Sequence, residues 1–168
     1  MGEEAARIGT LRKVADGRYE GSLSRVYEGH TPAELWKMLT EPGNFAQWLA
    51  PGTMELRKGG AVRISFEDSG IVIDSTLLEY EPEKLLAYSW SSGDEPERPL
   101  RWQIAKAGDD VRLDLTVLLP GDADIAKACA GFEGHLEMLG AALEGVPVKF
   151  PLELYLAARE SYKKQLGS

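Results

Sequence analysis

Between residues 52 and 120 the chain is a succession of short apolar–polar alternations, and one long amphipathic helical stripe follows them. Val62, Ile64 and Phe66 alternate with smaller or polar neighbours, and the stretch from Gly70 to Tyr80 is long and β-rich. Leu86, Tyr88 and Trp90 alternate with Leu85, Ala87 and Ser89; Leu100, Trp102 and Ile104 share a face, as do Val111, Leu113, Leu115 and Val117. A period of two is strand, because successive side chains of a strand point to opposite faces. Gly59-Gly60, Glu81-Pro82-Glu83 and Gly108-Asp109-Asp110 separate the runs with residues that suit tight turns. Such turns join antiparallel neighbours, whereas parallel strands need a crossover of about a dozen residues or more. No strand–helix–strand alternation occurs, which argues against a doubly wound parallel sheet.

The helical stripe is Ile125, Cys129, Phe132, Leu136, Leu139 and Leu143, recurring at steps of four and three. Glu133, Glu137 and Glu144 fall off the stripe and are expected on its wet side. The helix is predicted to end at Gly145, before Pro147. A last helix beginning near Pro151 is expected to turn Leu152, Tyr155, Leu156 and Tyr162 inward, with Glu153 and Lys163-Lys164 matching its dipole. At the other end of the chain, residues 8–15 alternate weakly, Asp16-Gly17 supplies a hairpin turn, and Arg18 to Glu28 reads as a strand. Thr31-Pro32-Ala33-Glu34 has the form of a capping box with proline at the first helical position. Leu35, Trp36 and Leu39 give that helix its apolar face, Pro42 interrupts it, and Phe45 with Trp48 marks a second helical turn before Pro51-Gly52.

With 168 residues, 43% hydrophobic and 27% charged, the chain is expected to form one domain over 1–168, its core about 18–146 and its C-terminal extension about 151–166. A net charge of -8 with no basic run longer than Lys163-Lys164 excludes nucleic acid as a partner. No window approaches the ~18 apolar residues of a membrane-spanning helix, so membrane insertion is not expected. The acidic N-terminus does not read as a signal peptide, and the single cysteine cannot form an internal disulfide. A cytoplasmic protein is the expectation.

A strand, a short helical pair, a meander of strands and then a long amphipathic helix have two apolar surfaces to bury together. The economical packing is an α+β fold in which a curved antiparallel sheet wraps around the long helix, with an added N-terminal hairpin strand and a final C-terminal helix. Side chains need not fill all the space between a strongly bent sheet and a helix, so a cavity is expected there.

The segment RVYEGHTPAELWKMLTEPGNFAQWLAP (25–51) resembles the opening of bacterial relatives of the activator of the 90-kDa heat-shock-protein ATPase, in the START-like, birch-pollen-allergen-like helix-grip superfamily also called SRPBCC. LRKGG (56–60), LLEYEPEKLLAYSW (77–90), LRWQI (100–104) and AGFEGHLEMLGAALEG (130–145) continue the likeness in order, over about residues 8–166. The resemblance implies a helix-grip fold and, among its functions, binding of hydrophobic molecules, stimulation of a chaperone ATPase and a place in the stress response. Superfamily relatives include cyclases and hydrolases acting within the cavity. Family members usually carry Gly-Trp near the start of the long helix; here Phe132 follows Gly131, which reshapes the cavity.

Chemistry-bearing residues are sparse. His30 and His135 are the only histidines, and no Cys/His pair has ligand spacing, so no metal or other cofactor is expected. Asp122 and Asp124 read as solvated caps rather than cation ligands, and Cys129 as a small buried hydrophobe. His30 precedes a helix cap and is expected to be exposed. His135 sits at the edge of the apolar stripe, where it can bond to a neighbouring strand or face the cavity as a polar group or acid–base catalyst. Asp74 belongs on a wet face, while Ser75 shares parity with Ile73 and Leu77 and offers a hydroxyl to the interior. Trp36 reads as core. Trp48, Phe66, Ile73, Tyr88, Trp90, Trp102, Phe132, Leu136 and Leu139 complete the candidate ligand-binding set, although parity does not separate a packed core from a cavity. No catalytic pair is recognisable.

The leading expectation is therefore binding of a small apolar or amphipathic molecule. A chaperone co-factor, an enzyme using His135 and a homodimer paired through a strand edge are the alternatives.

Overall fold

The computed structural model describes residues 8–66, 69–93, 97–121 and 123–167; the acidic N-terminal residues and Asp122 lie outside that set. Eight strands form a sheet: β1 (Thr10–Lys13), β2 (Tyr19–Tyr27), β3 (Gly52–Met54), β4 (Ala61–Phe66), β5 (Ile71–Glu81), β6 (Leu85–Ser89), β7 (Pro99–Ala107) and β8 (Asp110–Leu119). Their spatial order is β1-β2-β8-β7-β6-β5-β4-β3, and every neighbouring pair is antiparallel. Among the described residues four α-helices accompany it: α1 (Pro32–Thr40), α2 (Pro42–Phe45), α3 (Ile125–Leu143) and α4 (Leu152–Gly167). The sheet curves around α3, the helix-grip arrangement.

Local chemistry sets the element boundaries. Asp16 and Gly17 take φ of 66° and 73°, the left-handed pair that lets β1 fold back on β2. Thr31 accepts a hydrogen bond from Glu34 N, and the Glu34 carboxylate accepts one from Thr31 N, completing the capping box of α1. Between β5 and β6 the register slips by one residue at Leu77/Glu79, leaving Leu78 unmatched. Such a bulge raises the local twist and bends the strand.

The core lies between the sheet and α3. Val111, Leu113, Leu115, Val117 and Leu119 alternate inward along β8, and Leu100, Trp102 and Ile104 do so on β7. The stripe residues Ile125, Cys129, Phe132, Leu136 and Leu139 meet them, each buried. β6 departs from simple alternation, since all five of its residues are buried. Ala87 pairs with Glu79 on one side and Arg101 on the other, and the Arg101 Nε–Glu79 Oε2 ion pair at 3.1 Å spans it on the outer face.

Three expectations are corrected. Glu133, assigned to the wet side of the long helix, is wholly buried. Its carboxylate accepts hydrogen bonds from Gly9 N at 2.9 Å, from Arg25 Nη2 at 2.6 Å and from the Tyr162 hydroxyl. The cause is α4, which a helical wheel of α3 alone does not contain. On α4, Tyr155, Ala158 and Tyr162 form the inward side, while Leu152 and Leu156 are 60% and 51% exposed. The leucines lie roughly a quarter-turn or more from the small Ala158, which permits close approach to α3. His30, expected to be exposed, is mostly covered, its Nε2 2.5 Å from Glu144 Oε2 and its Nδ1 3.5 Å from Glu34 Oε1. It joins the start of α1 to the end of α3.

Removing one member of a buried ion pair strands the other without a partner, at a cost of about 3–5 kcal/mol. The Glu133→Ala variant is accordingly expected to lose stability on that scale, read as a lower urea midpoint. An unchanged midpoint would show that Arg25 and Tyr162 find other partners.

Candidate functional site

A cleft of about 430 Å³ opens beside the first half of α3. Trp90, just past β6, Phe66 at the end of β4, and Leu119 at the end of β8 form apolar walls with Phe132. Ala128 and Gly131 form the helix side, and a Cβ placed on Gly131 would meet nothing within 4 Å. Asp124, Ala128, Gly131 and His135, at steps of four, three and four, thus make a second stripe on α3 with two small residues at its centre. That stripe is why the space remains unfilled. Ile71, Ala123, Arg98, Lys127, Asp124 and Tyr155 complete the lining among the described residues, with Asp124 and Lys127 exposed at the mouth.

The aromatic groups form a connected set. Trp90 lies edge-on to Phe66 at 5.8 Å and to Phe132 at 5.2 Å between centroids, and Phe66 stands 6.0 Å from the His135 ring. The favoured edge-to-face geometry of such pairs fixes the wall without filling the cleft.

His135 is held from behind. Its Nδ1 is 2.8 Å from the carbonyl of Trp48, which can only accept, so Nδ1 carries the proton and Nε2 the lone pair. Burial lowers its pKa from the ordinary 6.5, and the Trp48 carbonyl opposes that shift. The ring is thereby a neutral, oriented acceptor, able to take a hydrogen bond or a proton from a bound hydroxyl. A second groove, of about 690 Å³, lies on the other side of Phe66 and His135 and is lined also by Met138, Lys149 and Phe150. Phe150 rests on Gly134, where a Cβ would come within 2.5 Å of its ring, and lies tilted against His135 at 5.4 Å between centroids.

The structure brings Phe66, Trp90, Phe132 and His135 of the sequence-derived set together at the cleft. The others are placed elsewhere. Trp48 is buried, its Nε1 donating to the Met38 carbonyl at 2.8 Å and its ring edge-on to Trp102 at 5.7 Å. Ile73, Tyr88, Trp102, Leu136 and Leu139 are packed in the core, and burial pushes the Tyr88 hydroxyl well up, so it stays neutral. The Ser75 hydroxyl donates to the Ser89 carbonyl at 2.8 Å and is thereby engaged within the sheet. Asp74 is exposed beside Arg63 at 3.4 Å. Cys129 is fully buried, and burial with the nearby Glu133 pushes its thiol up to about 12. Sequence reasoning missed Arg98, Lys127, Gly131 and Tyr155; only Gly131, next to a stripe of large apolar residues, carried a local signal of open space.

Among the described residues no group of three or more His, Cys, Asp or Glu side chains could hold a metal ion. Asp124 instead caps α3, accepting from Lys127 N at 3.0 Å, and lies 3.5 Å from Arg159 Nη2. No helix among the described residues is long and apolar enough to cross a membrane.

The family model of the Activator of Hsp90 ATPase homolog 1-like protein matches residues 30–144, from the start of α1 to the end of α3. The chain belongs to this family. No match to a curated protein was found. Among solved structures, this family member resembles CalU16 from Micromonospora echinospora at 20% identity and a TM-score of 0.76, over 95% of this chain and 96% of that one. A conserved protein of unknown function from Enterococcus faecalis, EF2215, is similar at 20% identity and a TM-score of 0.75, over 97% and 95%. These two show the fold. DynU16, a protein of the dynemicin biosynthetic locus, shares 26% identity at a TM-score of 0.67, with 79% of this chain and 49% of that chain covered.

Because His135 is held below 6.5, the unfolded chain binds a proton there at a pH where the folded protein does not. The stability this group contributes is complete above about pH 6.5 and is lost as pH falls through the window below it. Urea midpoints between about pH 7 and pH 5.5 should fall less steeply for His135→Gln than for the unsubstituted protein. Parallel pH profiles would mean that the imidazole gains no proton on unfolding.

Proposed function

We propose that this protein binds a small apolar or amphipathic molecule in the cleft between α3 and the sheet. The observation that carries the reading is a preformed cleft of about 430 Å³ whose walls are aromatic and aliphatic, with open space beside Gly131. Preformed concave sites of this size, largely apolar with a few oriented polar groups, are where small ligands bind. His135 supplies one such group, a hydrogen-bond acceptor of fixed tautomer. Likeness to a protein of a biosynthetic locus agrees with a small-molecule ligand. A cytoplasmic setting suits the chain, whose one thiol is buried. Stimulation of a chaperone ATPase is the competing reading; it rests on the family name, while the cleft favours a ligand.

Native mass spectrometry of gently purified protein, followed by denaturing extraction, identifies what the cleft carries. Titration with decanol, read by tryptophan fluorescence, tests the cleft directly with a simple amphiphile. Saturable quenching is expected, because Trp90 lines the cleft. In Gly131→Leu the new side chain occupies the open space, and binding should fall by about tenfold or more. Helix propensity favours leucine over glycine by roughly 0.5–1 kcal/mol, so the same variant should melt no lower than the unsubstituted protein. Unaltered decanol binding by a folded Gly131→Leu variant would remove the cleft as the site.

A further inference from the structure

Resting on the cleft as a binding site, we infer that its ligand carries an anionic head group, a carboxylate first of all, held by Arg98 and Lys127 while its apolar body lies against Trp90 and Phe132. Both cations line the cleft. Arg98 Nε is buried without a hydrogen-bond partner, and of the orphaned buried side-chain nitrogens among the described residues it alone belongs to a cleft-lining residue. A covered guanidinium N–H without an acceptor is unfavourable, and an incoming acceptor relieves it.

The backbone that carries Arg98 is fixed on both sides. Its N–H donates to the Ser89 hydroxyl at 2.8 Å, and its carbonyl accepts from Trp90 N at 2.8 Å. The cation is thus anchored beside the ring that forms the apolar wall. Lys127, in the first turn of α3, also lines the cleft, and its main-chain N–H is engaged by Asp124. Asp124, the acidic group in the lining, is occupied by that cap and by Arg159 at 3.5 Å. His135 is a neutral acceptor and adds no charge.

Among the described lining residues two cations stand with one engaged acid, in a chain whose net charge is -8. Two cations with no acidic partner among the described residues, at an apolar cleft, suit one anionic head far better than an uncharged or cationic one. The planar fork of arginine matches the two oxygens of a carboxylate, with Lys127 as an added point charge.

Decanoate and decanol differ only at the head and separate this inference from the reading it rests on. At about pH 8, where the acid is ionised, the unsubstituted protein should bind decanoate about tenfold or more tighter than decanol. Arg98→Gln should bring that ratio down to about two or less through loss of decanoate affinity. Lys127→Gln, at an exposed position where folding is not at stake, should lower the ratio about threefold. Equal binding of the two amphiphiles, or a preference that survives both substitutions, overturns the anionic head while leaving the cleft as a ligand site. Binding of neither overturns both.

Discussion

One buried carboxylate ties together segments from both ends of the chain. Glu133 receives the Gly9 N–H, the Arg25 guanidinium and the Tyr162 hydroxyl, so that the entry to β1, the middle of β2, α3 and α4 meet at one side chain. A buried carboxylate is tolerated only when its charge and lone pairs are met, since desolvation alone costs several kcal/mol. Here three donors and one opposite charge meet that requirement. Gln165 reinforces the junction, accepting from Leu11 N at 2.8 Å and donating to the Gly9 carbonyl at 3.1 Å. The effect reaches the cleft because Tyr155, on the helix that Tyr162 anchors, is part of the cleft lining. An internal charge thus governs a surface site through the position of α4.

The sheet and the long helix were legible because each has a strong, unmixed period. Alternation along β7 and β8, the stripe of α3 and the Thr31–Glu34 capping box are local patterns that no distant contact overrides. The burial of Glu133 was illegible for the opposite reason. It depends on a helix that arrives some twenty residues later and packs over the polar side of α3. On α4 the inward side is set by what fits against α3, a small Ala158 and a hydrogen-bonding Tyr162, and the more hydrophobic Leu152 and Leu156 are left outside.

The site was half legible. Parity puts Trp48, Tyr88, Trp90, Trp102 and Phe132 inside, but inside contains both a packed region and an open one. Trp48 and Trp102 fill the first, locked by the Met38 carbonyl and by each other. Trp90 borders the second because α3, beside Phe132, offers the small Ala128 and Gly131 there. Room in a protein interior is made by small residues, which a search for conspicuous chemical groups passes over. Arg98, in a polar loop, has no periodicity to announce it; only the way its backbone is pinned at Ser89 and Trp90 sets it at the cleft.

The partition between the cleft and its neighbouring groove is built from side chains rather than backbone. Phe66 and His135 line both spaces. Of the two, the imidazole is tethered to the Trp48 carbonyl, while the phenyl ring meets the rings of Trp90 and His135 and packs against the core. The wall between the two spaces therefore belongs to side chains at the end of β4 and midway along α3.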